Sequence, residues 1–142
     1  VFIYDPVNNF ISALHAGWKS AYKKIITITL KKLALEGSNL NKLVAIIGPC
    51  IGKESYEVRK DFFDKFIKQE KSNKKFFNKK KNKLYFNLNN YIKDEFLKSG
   101  VKNIEIIKKD TYILSNNFFS ARRSIKNKTH DYGRNISVIM IK

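Results

Sequence analysis

Phe2-Ile3-Tyr4-Asp5-Pro6-Val7-Asn8-Asn9-Phe10-Ile11-Ser12-Ala13-Leu14 is the stretch on which the fold turns. Two short β-prone runs, 2–4 and 10–14, flank a segment of Asp, Pro and Asn, residues that favour tight turns. The spacing predicts two strands joined by a tight connection. Neighbouring strands joined so closely pair antiparallel, which argues against a doubly wound parallel sheet and for an α+β class.

Beyond Leu14 the period changes. Trp18, Ala21, Tyr22, Ile25, Leu30, Leu33 and Ala34 are spaced for one broad helical face, with lysines mostly between them, and Gly37 supplies a stop. Leu43-Val44-Ala45-Ile46-Ile47, ended by Gly48-Pro49, predicts a buried strand. Ser55 is placed to cap a helix carrying Val58, Phe62, Phe63 and Phe66. Asn87 or Asn89 starts another helix, carrying Tyr91, Ile92, Phe96 and Leu97, which Gly100 closes. Residues 104–107 and 136–141 predict further strands, and the lysine run 71–83, broken by Asn and Ser, predicts a solvated loop. The expected architecture is one domain over residues 1–142, with a mixed sheet or sandwich core flanked by helices.

Its 142 residues suffice for one hydrophobic core. No apolar run approaches the ~20 residues a membrane helix needs, and the opening residues carry no signal-peptide pattern. The single cysteine, Cys50, excludes an intrachain disulfide and suits a reducing cytoplasm, the expected compartment. The sequence enters a strand directly from Val1, without a methionine, so upstream sequence is expected to be missing.

A net charge of +17 raises the question of a nucleic-acid partner. Only four of the 29 basic residues are arginine, however, and Asn and Ile are abundant, as an AT-rich genome produces. Base recognition favours the bidentate fork of Arg. The composition therefore weighs against nucleic acid.

Three segments could carry chemistry. His15-Ala16-Gly17-Trp18 lies where a strand ends and a helix begins, so His15 could face an open cleft or simply complete a turn. Gly48-Pro49-Cys50-Ile51-Gly52, followed by Ser55-Tyr56-Glu57-Val58, makes a rigid turn. Cys50 there is a nucleophile if its thiol is acidified, and otherwise a small residue filling a corner. Phe118-Phe119-Ser120-Ala121-Arg122-Arg123, with His130 and Gly133-Arg134 behind it, gathers three of the four arginines. They could hold a carboxylate or phosphate, or pair with Asp110, Asp131 or Glu57. A metal shared by His15 and His130 requires the fold to bring them together.

Together these segments resemble the laccase-domain or YfiH-like family, formerly called multicopper polyphenol oxidases. Its members carry His-Ala-Gly-Trp-Arg-Gly, Gly-Pro-Cys-Ile-Gly with Tyr-Glu-Val, Phe-Phe-Ser-x-Arg-Arg and a final Gly-Arg. The counterparts here are residues 15–20, 48–58, 118–123 and 133–134, in the same order. The resemblance implies an α+β fold and a zinc-dependent purine nucleoside phosphorylase with adenosine deaminase activity, acting on adenosine, inosine and methylthioadenosine. Its implied partners are a purine nucleoside and phosphate. It further implies zinc held by an upstream His, a Cys lying before the first strand here, and His15; of these only His15 is present. Cys50 does not match the ligand Cys by position. One histidine cannot hold a catalytic zinc, which takes about three protein ligands, so this chain alone is expected to have an incomplete site. A single site without clustered Cys and Met also fits a multi-copper centre poorly.

Lys19 and Ser20 stand where the family has Arg-Gly, which weakens the anion contact expected there. Lys19, Arg122, Arg123 and Arg134 are the candidate substrate- or phosphate-binding residues. Two other functions compete with the enzyme: a degenerate, metal-free binding module or decaying gene product, and a basic nucleic-acid-binding protein.

Overall fold

A computed structural model describes residues 1–129 and 133–141. His130 and Asp131, considered above as a metal ligand and an ion-pair partner, lie outside the described residues. In chain order the elements are β1 (Phe2–Asp5), β2 (Phe10–Ala13), α1 (Trp18–Tyr22), α2 (Ile25–Leu35), β3 (Val44–Ile47) and β4 (Glu57–Val58). Then come α3 (Lys60–Gln69), β5 (Phe77–Lys80), β6 (Lys83–Phe86), α4 (Leu88–Lys98), β7 (Asn103–Ile106) and α5 (Ala121–Asn127). Antiparallel and parallel pairs occur together with helices, so the fold is α+β, as the opening hairpin predicts.

The chain divides into two compact units. The first comprises Val1–Gly48, Asn89–Ile107 and Val138–Lys142, and is built on a four-stranded sheet of order β2-β1-β3-β7. β1 pairs antiparallel with β2, Phe2 opposite Ala13, and antiparallel with β3; β7 runs parallel to β3. The connection between β1 and β2 is organised by Asp5, which is 1% exposed. Its carboxylate accepts the Val7 and Asn8 amides at 2.9 and 3.1 Å and the Asn8 side chain at 2.9 Å. One sheet face is sealed through Ile3, Ala45 and Ile47. Ile26, Leu30, Leu43, Tyr91, Ile92, Phe96 and Val101 complete a core in which every side chain is 2% exposed or less. Burying each of the larger ones contributes about 1.5–3 kcal/mol. The opposite face, with Phe2, Tyr4, Val44 and Ile46, lines an apolar cavity of about 450 Å³.

The single helix predicted after Trp18 is two helices. Lys24 sits in the left-handed region, φ 63° and ψ 36°, and interrupts it. That conformation costs a non-glycine residue about 1–2 kcal/mol. The break resets the helical phase: Ala21, Ile26 and Leu30 are buried, whereas Ala34 of the predicted face is exposed. α2 and α4 both end as expected, at Gly37 and Gly100, with the closing hydrogen bonds Ser38 N–H to Leu33 O and Val101 N–H to Phe96 O.

The second unit, Pro49–Leu88 and Lys108–Ser137, contains the three-stranded antiparallel sheet β4-β6-β5. α3 packs an aromatic cluster with this sheet. The Phe66 and Phe77 rings each lie 4.9 Å from the Phe86 ring, centroid to centroid, and Phe62 stacks on Phe66 at 4.8 Å. Two predictions are corrected here. The lysine run is no loop; Phe76 and Phe86 are buried and anchor a β5–β6 hairpin. Its turn residues Lys81 and Asn82 both have positive φ, 47° and 60°, the geometry whose twist matches two-residue hairpins. Nor does Ser55 cap a helix: Val58 is in a strand, α3 starts only at Lys60, and Ser55 serves Asp110 instead.

The strand predicted at 136–141 is also absent. Residues 133–141 lie in no regular element, with Ile136 87% and Val138 77% exposed. An alternating pattern makes a strand only when another edge takes its hydrogen bonds, and none of the described residues does.

Candidate functional site

The candidate site residues fall in different units: His15 and Lys19 in the first, Arg122, Arg123 and Arg134 in the second. In the first, β2 hands the chain to α1 through His15-Ala16-Gly17. Gly17 is the extended N-cap, and its carbonyl accepts the Ala21 amide at 2.9 Å. His15 is exposed, and its ring folds back over Gly17 so closely that a Cβ there would lie 2.9 Å from Nε2. Glycine is what gives the imidazole its place. Lys19 is exposed, with Nζ 5.8 Å from the Trp18 ring centroid. Among the described residues, no three His, Cys, Asp or Glu side chains gather as metal ligands. His15 alone therefore does not make a zinc site.

In the second unit, Cys50 bridges Asp110, and its carbonyl accepts the Thr111 amide at 2.9 Å. The Asp110 carboxylate accepts the Ser55 hydroxyl at 2.6 Å and the Tyr112 amide at 2.8 Å. A Cβ on Gly52 would come within 2.5 Å of Asp110 Oδ2, so the turn closes onto this carboxylate only with glycine. Burial, reinforced by the Asp110 charge, pushes the Cys50 thiol up to about 12. A thiol so placed stays protonated, opposite to what a nucleophile needs. Cys50 fills a corner.

The consecutive arginines at the start of α5 have different tasks. Ser120 caps the helix, accepting the Arg123 amide at 3.3 Å. The Arg123 guanidinium then donates to three carbonyls: Thr111 at 3.1 Å, Tyr112 at 2.9 Å and Phe118 at 2.5 Å. It ties the 111–118 segment to the helix. Arg122 lies over Tyr56, 5.2 Å from the ring centroid, and donates one hydrogen bond, to the Glu57 carbonyl at 2.6 Å. Among the described residues neither guanidinium forms an ion pair with a carboxylate. Glu57 pairs with Lys83 at 3.0 Å, and Asp110 is taken by Ser55 and Tyr112. Arg134 is exposed and follows Gly133.

Beside Arg123 lies a cavity of about 390 Å³, bounded by Phe119, Ser120, Ser124, Asn127, Thr129 and Gly133. That volume suits a small metabolite, since such sites run about 300–1,000 Å³. Asn135 holds the Phe119 backbone at its edge, accepting from N–H at 3.0 Å and donating to the carbonyl at 2.8 Å.

Tyr56 is the site residue to which the sequence alone assigns no role. Burial raises its hydroxyl to about 12, with Arg122 pulling the other way. The Tyr-Glu-Val segment holds both the ring under Arg122 and the carbonyl it binds. Only the fold brings that segment to α5, because 65 residues separate Glu57 from Arg122.

The chain is similar to known proteins along its whole length. It is 36% identical over 145 residues to a purine nucleoside phosphorylase of Rickettsia conorii, covering all of this chain and 59% of the relative. A purine nucleoside phosphorylase of Bacteroides thetaiotaomicron is 33% identical, with 99% of this chain and 53% of the relative covered. The chain thus spans little more than half the length of these relatives. The crystal structure of the hypothetical protein YfiH of Bacillus licheniformis superimposes with a TM-score of 0.79 at 29% identity, covering 87% of this chain and 48% of that one. The family described as multi-copper polyphenol oxidoreductase laccase matches residues 1–142, and the chain belongs to that family.

Proposed function

We propose that this protein is a purine nucleoside phosphorylase acting in the cytoplasm, the compartment that a lone reduced cysteine suits. One observation carries the reading: the match at 36% identity, across the whole chain, to a relative bearing that name. In phosphorolysis a phosphate oxygen forms a bond to ribose C1′ as the C1′–N9 bond breaks. The purine leaves with the electron pair and takes up a proton, and the other product is ribose 1-phosphate.

Arg122 is assigned to phosphate. It spends one donor on Glu57 O, and its other N–H groups make no hydrogen bond among the described residues. A planar fork of this kind matches phosphate oxygens in pairs. Arg123 is assigned a bracing role, because three backbone carbonyls already hold it. Arg134 and Lys19, both exposed, are secondary candidates for the anion. The nucleoside is assigned to the cavity beside Phe119 and Ser120.

The family resemblance implies zinc, with His15 as one ligand. Among the described residues no three candidate ligands gather, so His15 would hold zinc only together with ligands from outside them. The second reading is a metal-free binding module. Titration with zinc of a version extended upstream to the length of its relatives separates the two: the enzyme binds one equivalent and loses it on His15→Ala, whereas the module binds none. Deamination of adenosine, also implied by the resemblance, is read as ammonia released without any need for phosphate.

A further inference from the structure

α1 has five residues, too few to hold a helical form or direction by itself. Its direction therefore depends on the junction with α2. The residue at that junction, Lys24, is left-handed without being glycine or asparagine, so something other than backbone preference keeps it there. Its side chain reaches Glu95 on α4, Nζ to Oε1 at 2.7 Å, and lies 5.5 Å from the Tyr91 ring centroid. Glu95 is 4% exposed, and Thr27, in the first turn of α2, donates to its other oxygen at 3.1 Å. One buried carboxylate thus holds both the break and the helix beyond it. A buried charge is stable only while paired, so the geometry is strongly preferred. On the other side, the Lys23 and Lys24 amides bind the Lys19 and Ala21 carbonyls, and the Ala21 amide binds Gly17 O. The His15 ring rests on Gly17.

We propose that the Lys24–Glu95 pair is a positioning lock, fixing the break between α1 and α2 and through it the placement of the His15-Ala16-Gly17-Trp18 segment. Lys24 and Glu95 are positioning residues, acting through α1. The relevance of the lock to turnover rests on the phosphorylase reading; its geometry does not, and it is tested without measuring activity.

Trp18 is the sole tryptophan, so intrinsic fluorescence reports on α1 directly. Lys24→Met and Glu95→Gln keep side-chain size but remove the ion pair. Both are expected to shift the Trp18 emission maximum and the amide cross-peaks of residues 15–18, at temperatures where circular dichroism shows an intact fold. Lys24→Gly adopts the left-handed backbone without strain, and is expected to show the same shifts because the ammonium is gone. Should Glu95→Gln fail to fold, Lys24→Met decides, since the Lys24 side chain is 31% exposed. Variants that melt earlier but keep wild-type emission and cross-peaks would overturn the proposal, leaving the pair a stabilising contact only. Wild-type signals in Lys24→Gly would overturn it as well, because the backbone alone would then set the break.

Discussion

The Arg122 guanidinium lies 5.2 Å from the centre of the Tyr56 ring, on a buried tyrosine whose next residue, Glu57, accepts a hydrogen bond from it. Arg123, adjacent in sequence, is held by three carbonyls. Substitution should separate the two. Arg122→Ala is expected to raise the KM for phosphate by about tenfold or more, the loss of a charge-assisted hydrogen bond worth about 1.5–3 kcal/mol, and to lower stability less than Arg123→Ala, since one carbonyl rather than three loses its donor. Arg123→Ala is expected to lower stability by about 1.5–3 kcal/mol, measured by urea unfolding. An Arg122→Ala protein with an unchanged phosphate KM would remove Arg122 from the phosphate role.

The Asp5 turn makes the fold sensitive to acid. Burial opposes ionisation of Asp5, but the Ser38 hydroxyl, then the Asn8 side chain and the Asn8 and Val7 amides, outweigh it and lower its pKa from 3.8 to about 2. With the folded value depressed, the contribution is present above pH 3.8 and is lost as pH falls through about 2. Asp5→Asn is expected to cost about 1–2 kcal/mol at neutral pH and to flatten the acid limb of the stability profile. Equilibrium unfolding from neutral pH down to the acid limb checks both.

Cys50 is expected to be inert. Its pKa, raised from 9.0 to about 12 by burial and then by the Asp110 charge, leaves about a thousandfold less thiolate at mildly alkaline pH than in the unfolded chain. Iodoacetamide should modify the denatured protein readily and the folded protein hardly at all, and Cys50→Ala should match the unsubstituted protein in the proposed phosphorolysis. The raised value marks a thiol that the fold keeps protonated, and ionisation destabilises the fold only as pH rises above 9.0 toward about 12. Rapid labelling of the native protein would contradict this.

Much of the fold was legible because it rests on local signals. Asp5, Pro6 and Asn8 announce the first turn, and Gly37 and Gly100 mark two helix ends. What was not legible depends on distant partners. Lys24 looks like any surface lysine until Glu95, 71 residues away, pins it and splits a helix. Ser55 suits a cap until Asp110 takes its hydroxyl. The 71–83 run looks solvated because lysine dominates it, although Phe76, Phe77 and Phe86 frame a hairpin. The arginine segment stood out in a lysine-rich chain, but only the structure assigns different contacts to its first two members. His15 was singled out from its motif, and the fold adds the reason for Gly17 beside it.

The most direct test of the central proposal is to extend the protein upstream to the length of its relatives and incubate it with inosine, in the presence of zinc, with and without inorganic phosphate. Released hypoxanthine and ribose 1-phosphate are followed by chromatography. Phosphorolysis predicts the two products in equal amounts and only when phosphate is present. No base released under either condition, or equal release without phosphate, would contradict it.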